Sequence, residues 1–437
     1  MIDYELAIYI IDILFVAIIF IMAGISWYYV AGFFISAKRT PTVPHSDKLT
    51  KFAILIPARN EHKVVGNLLN SLEKQTYPKE WFDVWFITES EDDPTNALVK
   101  EKGFNYFVRD ELTDKRKTKG FALQECIRFF KNNNLQYDAY MIFDADNVLD
   151  LNYIEAMNDL RQTGVEVGVG YRNFTNINVN WLTTCSAILF SYMNSFTSKN
   201  RTRLFKKALI SGTGYYVNAD IIDECGGWIF TGMTEDTEFT TFCVYHDINM
   251  KYYPRVNFYD EQSPSFRNNH RQHIRWVWGF MENRNRFKKG GVNHHATSKM
   301  TNNAAKFEYN VGLFPFAFCC VADALLIVTS LILYFFSLYY EPQYSHTCLM
   351  HFFLQFGTLY LLFALIAAVT IGHNRNHLRM SVGSIIWCVL TYFFYFTDLL
   401  VAFVHGLIIP KSRKVWKPIK HTGKVKDKRA KKASQDE

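Results

Sequence analysis

Four long apolar runs divide this chain, and they constrain its fold more than any other feature of the sequence. They cover residues 6–35, about 307–340, 347–372 and 381–410. A helix rises about 1.5 Å per residue, so about 20 apolar residues cross the ~30 Å hydrocarbon core of a bilayer. Each run is therefore long enough for a membrane helix. The sequence predicts an N-terminal transmembrane anchor over 1–36 and a C-terminal transmembrane region over 307–410.

The first apolar run differs from a cleaved signal peptide. It follows MIDYE instead of a basic stretch, it is long, and no clear small-residue cleavage site follows it. A retained anchor is the better interpretation. Lys38 and Arg39 come directly after the run, and the positive-inside rule then places the next segment in the cytosol. We expect a multi-pass protein of the cell membrane with a cytosolic middle domain.

The formal net charge of +7 comes from the basic tail at 411–437, which holds eleven Lys/Arg and three Asp/Glu. Such a segment favours the anionic lipids of the cytoplasmic leaflet, so membrane lipids are expected partners. Nucleic acid is not expected, because no recognised nucleic-acid motif accompanies the charge. If 381–410 crosses the membrane, the tail ends outside, against the positive-inside rule. A re-entrant or hairpin course would keep it inside. Asp398 and His405 also count against a plain lipid-facing span, and we favour a cytosolic tail.

The polar zone over 50–300 alternates short apolar runs with helical patterns. The strand-like runs are FAILIP (52–57), VWFIT (84–88) and AYMIF (139–143). Residues 62–75 carry apolar side chains at helical spacing. This alternation predicts a parallel sheet with helices on both faces. Because ligands bind beyond the carboxyl ends of such strands, we expect the chemistry in the loops after Ile56, Thr88 and Phe143.

Asp144 and Asp146 follow AYMIF on a predicted turn. Two carboxylates at this spacing can face one cation, and Mg²⁺ or Mn²⁺ prefers oxygen ligands that it shares with substrate phosphates. The alternative is a turn-forming Asp that caps a helix.

Two more acidic clusters follow apolar segments. In ITESEDDPT (87–95), Glu89, Asp92 and Asp93 could accept hydrogen bonds from a base or ribose, or Asp93 could simply start a helix. In GMTEDTEF (232–239), the carboxylates are Glu235, Asp236 and Glu238. Like charges this close resist joint ionisation, which raises a pKa and suits a general base. The alternative is a solvated acidic helix start.

Cationic side chains accompany these carboxylates. They are Arg59, the segment KRKTKG (115–120) and Arg275. Without a G-x-x-x-x-G-K loop, this pattern indicates a diphosphate held by metal and cationic side chains instead of a P-loop. For KRKTKG alone, a solvated loop is the alternative.

Two predicted helices have a mixed character. Residues 177–196 carry a broad apolar stripe, which fits either an interfacial helix or an ordinary core helix. In the second helix, near 266–290, Gln272, Arg275 and Trp276 share one face. That face could lie on the membrane surface or form one wall of a binding site.

Together these motifs resemble the membrane-integrated family 2 glycosyltransferases, the group of hyaluronan, chitin, cellulose and poly-N-acetylglucosamine synthases. The matching stretches, in family order, are IPARNE (56–61), SLEKQTYP (71–78), ITESEDDPT (87–95), FDADN (143–147), SGTGYY (211–216), GGW…MTED (226–236) and RQHIRW (271–276). Each is weak alone, and their order between membrane segments makes the match specific.

The resemblance implies an α/β GT-A-type domain with a mixed, mainly parallel sheet flanked by helices, plus α-helical transmembrane segments and interfacial helices. It also implies inverting transfer from a nucleotide-diphosphate sugar, with UDP-sugars favoured, and a Mg²⁺ or Mn²⁺ cofactor.

By the same resemblance, the site residues are assigned in groups. Asp236 is the general base. Asp146, with Asp144, binds the metal. Donor-binding residues are Pro57, Arg59, Glu61, Glu89, Lys119, Asp144 and Arg275. Acceptor-binding residues are Glu235, Gln272 and Trp276. Glu89 stands where the family usually has an aspartate that meets the uracil.

Three functions remain open on the sequence. The first, which the resemblance favours, is a polymerising enzyme that extends a β-linked polysaccharide and exports it. The second is a single transfer to a membrane lipid, and the third is a non-enzymatic membrane subunit, against which the intact acidic residues count. No F-F-C-G-S run is present, so cellulose is not indicated. With three or four spans, one chain could form a narrow channel, share one in a homo-oligomer, or form none.

Overall fold

The computed structural model describes residues 3–109, 118–283, 286–289, 292–311, 314–408, 423, 425 and 427–434. Its centre is one eight-stranded sheet. The strands are β1 (Phe52–Pro57), β2 (Phe82–Thr88), β3 (Asn105–Val108), β4 (Ala139–Ile142), β5 (Val148–Leu149), β6 (Val167–Phe174), β7 (Tyr215–Asn218) and β8 (Met250–Asp260). Their spatial order is β3-β2-β1-β4-β7-β6-β8-β5. Neighbours in the β3-β2-β1-β4 half are parallel, whereas β7 runs antiparallel to both β4 and β6. The predicted mixed, mainly parallel sheet is confirmed.

Helices cover both faces of the sheet and continue into an apolar bundle. Those up to the end of the sheet are α1 (Tyr4–Ala37), α2 (Val65–Glu73), α3 (Pro94–Glu101), α4 (Lys119–Asn132), α5 (Tyr153–Gln162), α6 (Trp181–Tyr192), α7 (Lys199–Phe205), α8 (Ala219–Glu224) and α9 (Glu235–Tyr245). Those beyond it are α10 (Phe266–Asn283), α11 (Lys299–Val311), α12 (Phe314–Tyr340), α13 (Ser345–Leu378), α14 (Val382–Ile408) and α15 (Lys428–Ser434).

Two apolar cores sandwich the sheet. One lies under α4, α8 and α9, and the other under α2, α3 and α5. Alternate side chains of β1 supply both cores: Ala53 and Leu55 face the first, and Ile54 and Ile56 face the second. Because a strand buried on both faces contains almost only apolar residues, FAILIP was a reliable signal for a strand in mid-sheet.

Four helices are long and apolar enough to cross a membrane: α1, α12, α13 and α14. The run predicted over 307–340 is divided between α11 and α12. Its first residues carry polar side chains that contact helices packed on the sheet, since Glu308 pairs with Arg201 of α7 at 2.8 Å. Those residues therefore belong to the polar domain and not to a span.

The bundle docks directly on the sheet. His377, in the last turn of α13, stacks on Tyr171 of β6 with ring centroids 3.8 Å apart. The Tyr171 hydroxyl donates to Asn374 of the same helix at 3.1 Å. The helix predicted near 177–196 is α6, which continues through a π-helical turn over Met193–Ser198. Its side chains are mostly buried between the sheet and helices α13 and α14.

Candidate active site

Lys119 and Asp144 meet beyond the end of β4. Asp144 follows the strand, and its backbone N–H donates to Thr213 Oγ1 at 3.0 Å. Lys119 opens α4, and its Nζ donates to Asp144 Oδ1 at 2.5 Å and to the Gly212 carbonyl at 2.6 Å. Burial disfavours the charged ammonium, but the carboxylates of Asp144, Glu235 and Asp236 outweigh it and raise the pKa of Lys119. The lysine is a fixed cation among carboxylates.

Asp146 stands two residues further along the same turn. Asn147 lies buried beside it and donates from Nδ2 to Asp146 Oδ1 at 3.3 Å. Within the described ranges, no cluster of three or more His, Cys, Asp or Glu side chains could enclose a metal ion. Two carboxylates on an open turn nevertheless suit Mg²⁺ or Mn²⁺, which takes one or two carboxylates and completes its shell with phosphate oxygens and water. The residues present therefore fit the implied metal.

Glu235 and Asp236 open α9, and their carboxyls lie close enough to Lys119 for their charges to raise its pKa. Burial raises the pKa of both carboxyls, and the negative charge of Asp236 raises that of Glu235 further. Gly212, at φ +89°, lies next to Asp236, because a Cβ there would come within 3.6 Å of Asp236 Oδ2. A buried carboxyl with a raised pKa is the electrostatic condition expected of a general base.

Two arginines supply positive charge to Asp236. The charges of Arg275 on α10 and Arg172 on β6 both lower its pKa, although burial outweighs them. The Arg275 Nε is buried and finds no hydrogen-bond partner among the described residues. An unsatisfied buried guanidinium N–H is costly unless a ligand accepts from it. An anionic group such as a diphosphate would satisfy it.

Arg172 is a site residue that the sequence reasoning missed. Its guanidinium donates to Asp260 Oδ2 at 2.5 Å and 3.1 Å and to the Ser211 carbonyl at 2.6 Å. It also lies over the Phe190 ring, with Cζ 3.9 Å from the centroid. An arginine within the otherwise uncharged run VGVGYRNF was the available signal, because a buried strand rarely carries a charge without a partner.

Trp276 packs in an aromatic row on the side of the site that faces the apolar bundle. Its ring lies 5.7 Å from Phe190 at 85° and 5.3 Å from the His273 ring at 43°. Gln272 is half-buried one turn earlier on α10. Gly279 lets this helix approach the T-E-D motif, since a Cβ there would come within 2.2 Å of Thr234 Cγ2. The helix predicted near 266–290 is therefore a wall of the site as well as a contact to the bundle.

The predicted nucleotide end lies where β1 and β2 finish side by side. Pro57 ends β1, and Arg59 and Glu61 follow within four residues. The Glu61 N–H donates to Thr95 Oγ1 at 3.1 Å, which fixes the loop against α3. Asp93 caps α3, the simpler of its two predicted roles.

Glu89 carries an unexpected partner. Its Oε1 accepts from Arg109 Nη1 at 2.7 Å, and the same guanidinium pairs with Glu125 at 2.7 Å. The sequence reasoning did not identify Arg109. Contact with a uracil base stays a prediction for Glu89. Of the cationic segment KRKTKG, residues 115–117 lie outside the described residues.

The site and the sheet define a class of enzyme. Residues 50–279, more than half of the chain, match the family model described as glycosyltransferase like family 2, and the chain belongs to that family. The fold is GT-A-like. The mannosyltransferase PcManGT from Pyrobaculum calidifontis, solved in complex with GDP-Man and Mn²⁺, superposes with a TM-score of 0.60 at 13% identity, covering 91% of this chain and 99% of that one.

Two named relatives share part of the sequence. The probable glycosyltransferase YdaM of Bacillus subtilis (strain 168) is 28% identical over 53% of this chain and 56% of its own length. The beta-monoglucosyldiacylglycerol synthase of Trichormus variabilis is 26% identical over 47% of this chain and 44% of its own length. The chain thus spans about half the length of the curated relatives it matches. The family is confirmed, whereas the processive synthase type stays a prediction.

Proposed function

We propose that this protein is a membrane-bound inverting glycosyltransferase that uses a nucleotide-diphosphate sugar, with Asp236 as general base. The observation that supports this proposal most strongly is that four charged residues lie close together at one end of the sheet: Lys119, Asp144, Asp236 and Arg275. A nucleoside diphosphate leaves with growing negative charge, and cations fixed beforehand stabilise that charge most effectively.

In this proposal, the anionic and cationic side chains of the site have different roles. Asp144 and Asp146 would hold Mg²⁺ or Mn²⁺, which supplies Lewis-acid stabilisation of the diphosphate when bound. Arg275 can donate to phosphate oxygens from a rigid fork. Asp236 removes the proton from the acceptor hydroxyl, and its raised pKa favours that transfer. Glu235, Gln272 and Trp276 would contact the acceptor, while Pro57, Arg59, Glu61 and Glu89 would border the nucleotide.

For the acceptor, we propose a membrane lipid that receives one sugar. The packing between α6, α13 and α14 supports this. Buried aromatic side chains fill the space that a polysaccharide channel through one bundle would need. They are Phe363, Tyr392, Phe393 and Tyr395. The name of the Trichormus variabilis relative, a glucosyldiacylglycerol synthase, agrees with such an acceptor.

The second candidate is extension and export of a β-linked polysaccharide. The close packing of α10, which carries the Q-x-x-R-W motif, against α14 favours it. A polysaccharide that extends from Trp276 would lie directly beside the apolar bundle. A channel shared by a homo-oligomer would then provide the path, since the space within one bundle is filled.

The test uses membranes that contain the full chain. They are incubated with a panel of labelled nucleotide sugars, including UDP-glucose, UDP-GlcNAc and GDP-mannose, with Mg²⁺, Mn²⁺ or EDTA. Label in the lipid phase supports single transfer, and high-molecular-weight label that linkage-specific glycosidases digest supports the polymer. Asp236→Asn should abolish transfer from every donor while the thermal unfolding temperature stays unchanged. Full transfer by that variant would contradict the proposed chemistry.

We also propose that the catalytic domain and the tail are cytosolic and that α14 does not cross the membrane. Both halves of α14 contact helices of the catalytic domain: Cys388 lies 3.7 Å from Cys185 of α6, and the Gly406 carbonyl accepts from Trp278 of α10. A helix of 27 residues would span about 40 Å end to end. With both halves on one domain, it lies along the membrane face of that domain.

The tail supports the same topology. The Asp427 N–H donates to the Thr175 carbonyl at 3.0 Å, and Asn70 donates to the Ser434 carbonyl at 2.9 Å. The described part of the tail therefore rests on the catalytic domain. Only fourteen residues separate the end of α14 from Gly423, fewer than the about 20 that cross a bilayer as a helix, so the end of α14 and the catalytic domain lie on the same side.

A further inference from the structure

A buried carboxylate in the apolar helix α14 connects to the Q-x-x-R-W helix. Asp398 is 6% exposed, and two histidines of α10 take its two oxygens. His270 Nδ1 lies 2.6 Å from Oδ1, and His273 Nδ1 lies 2.8 Å from Oδ2. A charged group within an apolar helix is costly and persists where a partner and a function retain it.

The hydrogen bonds of His273 define the orientation of its ring. A carboxylate only accepts, so Nδ1 carries the proton that it donates to Asp398. In the neutral imidazole, Nε2 then accepts, and the Tyr395 hydroxyl lies 3.3 Å from it. Both partners belong to α14, one helical turn apart. Helix α14 thus sets the plane of an imidazole on α10.

That imidazole packs against Trp276. The Trp276 ring contacts both His273 and Phe190. The guanidinium of Arg172 lies over the Phe190 ring, and Asp260 and the Ser211 carbonyl hold it in place. Through these two rings, the indole connects to Arg172 on the sheet and to Asp398 on α14.

A close approach of the two helices keeps these groups in register. A Cβ at Gly406 would come within 2.8 Å of Val277, so only glycine allows α14 to come this near to α10. The Trp278 Nε1–H donates to the Gly406 carbonyl at 3.0 Å. The contact at Asp398 is thus one of several that hold α14 along α10.

We propose that Asp398 is a positioning residue for the acceptor: through His273, it holds the Trp276 ring at the angle that the acceptor meets. The proposal rests on the proposed function, in which Trp276 contacts the acceptor. It predicts that removal of the Asp398 charge impairs use of the acceptor and leaves the donor half of the site working.

The test compares Asp398→Asn with the wild type in the full chain. The probes are UDP-glucose and dioleoylglycerol in mixed vesicles, or the donor and acceptor that the panel above identifies. We expect kcat/KM for the acceptor to fall about 10- to 100-fold, as for misplaced substrate-binding groups. Hydrolysis of the donor without acceptor should stay within about twofold of the wild type. Tyr395→Phe, which removes one hydroxyl, should show the same split with a smaller loss.

A double-mutant cycle and a matched control complete the test. Adding Asp398→Asn to Trp276→Phe should cost no more than Trp276→Phe alone, because coupled residues are not additive. Asp323→Asn removes another buried carboxylate from an apolar helix, α12, and should leave both activities unchanged.

Three results would overturn the role of Asp398: no loss in Asp398→Asn, an equal loss of hydrolysis and transfer, or additivity with Trp276→Phe. Asp236→Asn, assayed alongside, separates this outcome from a failure of the proposed chemistry. Full transfer by Asp236→Asn would overturn that chemistry. The double-mutant cycle with Trp276→Phe tests the role of Asp398 separately.

Discussion

At the scale of single residues, the site depends on carboxylates that would ionise readily in water. Burial raises the pKa of Asp236 and Glu235, and their proximity works in the same direction for Glu235. Lys119 and Arg275 oppose this shift without cancelling it. The balance disfavours joint ionisation of the two carboxyls.

The pH dependence of transfer should reflect this pair. A general base works when deprotonated, so the rate should rise as pH increases through the raised pKa. The acidic limb should therefore lie above the ordinary carboxyl value of about 4. Glu235→Gln should move the limb to lower pH, because the remaining carboxyl loses a like-charged neighbour. The measurement is kcat/KM from pH 4 to 9, with Asp220→Asn as an exposed control. A limb that stays in place in Glu235→Gln would contradict the coupling.

Arg172 should matter for stability as well as for transfer. Arg172→Ala leaves Asp260 buried without its cation, and breaking a buried ion pair costs about 3–5 kcal/mol. Thermal unfolding of the detergent-solubilised protein measures the loss. Arg255→Ala removes an exposed guanidinium whose hydrogen bonds, in the described part of the chain, go only to the Thr40 carbonyl, and it should cost less than about 1 kcal/mol. Equal losses in the two variants would argue against the pair.

The candidate site residues that the sequence analysis named differ from those it missed. The missed residues depend on hydrogen-bond partners that lie far away in the sequence. Asp144 and Asp236 stand in short motifs after apolar runs, so local patterns identify them. Arg172 depends on Asp260, 88 positions away. His273 depends on Asp398, 125 positions away. Pairing across such distances leaves no periodicity or composition signal in one sequence.

At the scale of secondary-structure elements, the packing of α10 on α9 depends on the absence of one methyl group. Gly279→Ala would place a Cβ against Thr234, push the two helices apart and separate Arg275 from Asp236. Overpacking of this kind costs about 1–3 kcal/mol. Transfer should fall at least about tenfold.

Gly66→Ala provides the matched control for Gly279→Ala. Gly66 lies within α2, and nothing lies within 4 Å of a Cβ there. In an open helical position, alanine is favoured over glycine by about 1 kcal/mol, so this variant should be at least as stable as the wild type. Both variants are compared by unfolding temperature and by transfer rate. Equal behaviour would show that the contact at Thr234 is unimportant.

The boundaries of the helices and strands agree with the sequence-based prediction in the buried sheet and differ from it in the apolar run over 307–340. The strands after which the chemistry was expected all formed. The apolar run over 307–340 instead broke into α11 and α12, because its polar residues found partners on the catalytic domain. Hydropathy averages over such residues, and only the tertiary contact locates the break.

At the scale of the whole molecule, the proposed topology has three crossings, by α1, α12 and α13. The turn between α12 and α13 then faces outside, and the tail faces the cytosol. In intact cells, a membrane-impermeant maleimide should label Gln343→Cys, an exposed position in that turn. Lys431→Cys, exposed on α15, should be labelled only after permeabilisation. The unsubstituted chain gives the background. Labelling of Lys431→Cys in intact cells would exclude a cytosolic tail.

The row of contacts from Arg172 through Phe190, Trp276 and His273 to Asp398 has a practical consequence for inhibitor discovery. Every strand of the sheet lies before residue 261, so a fragment ending at Asn283 would retain the donor half of the site. It would lose α14, and His273 would then lack both of its partners. Screens on such a fragment would find nucleotide mimics and overlook compounds that compete with the acceptor. We expect that finding ligands of the second kind requires a chain that includes α14, in a lipid environment.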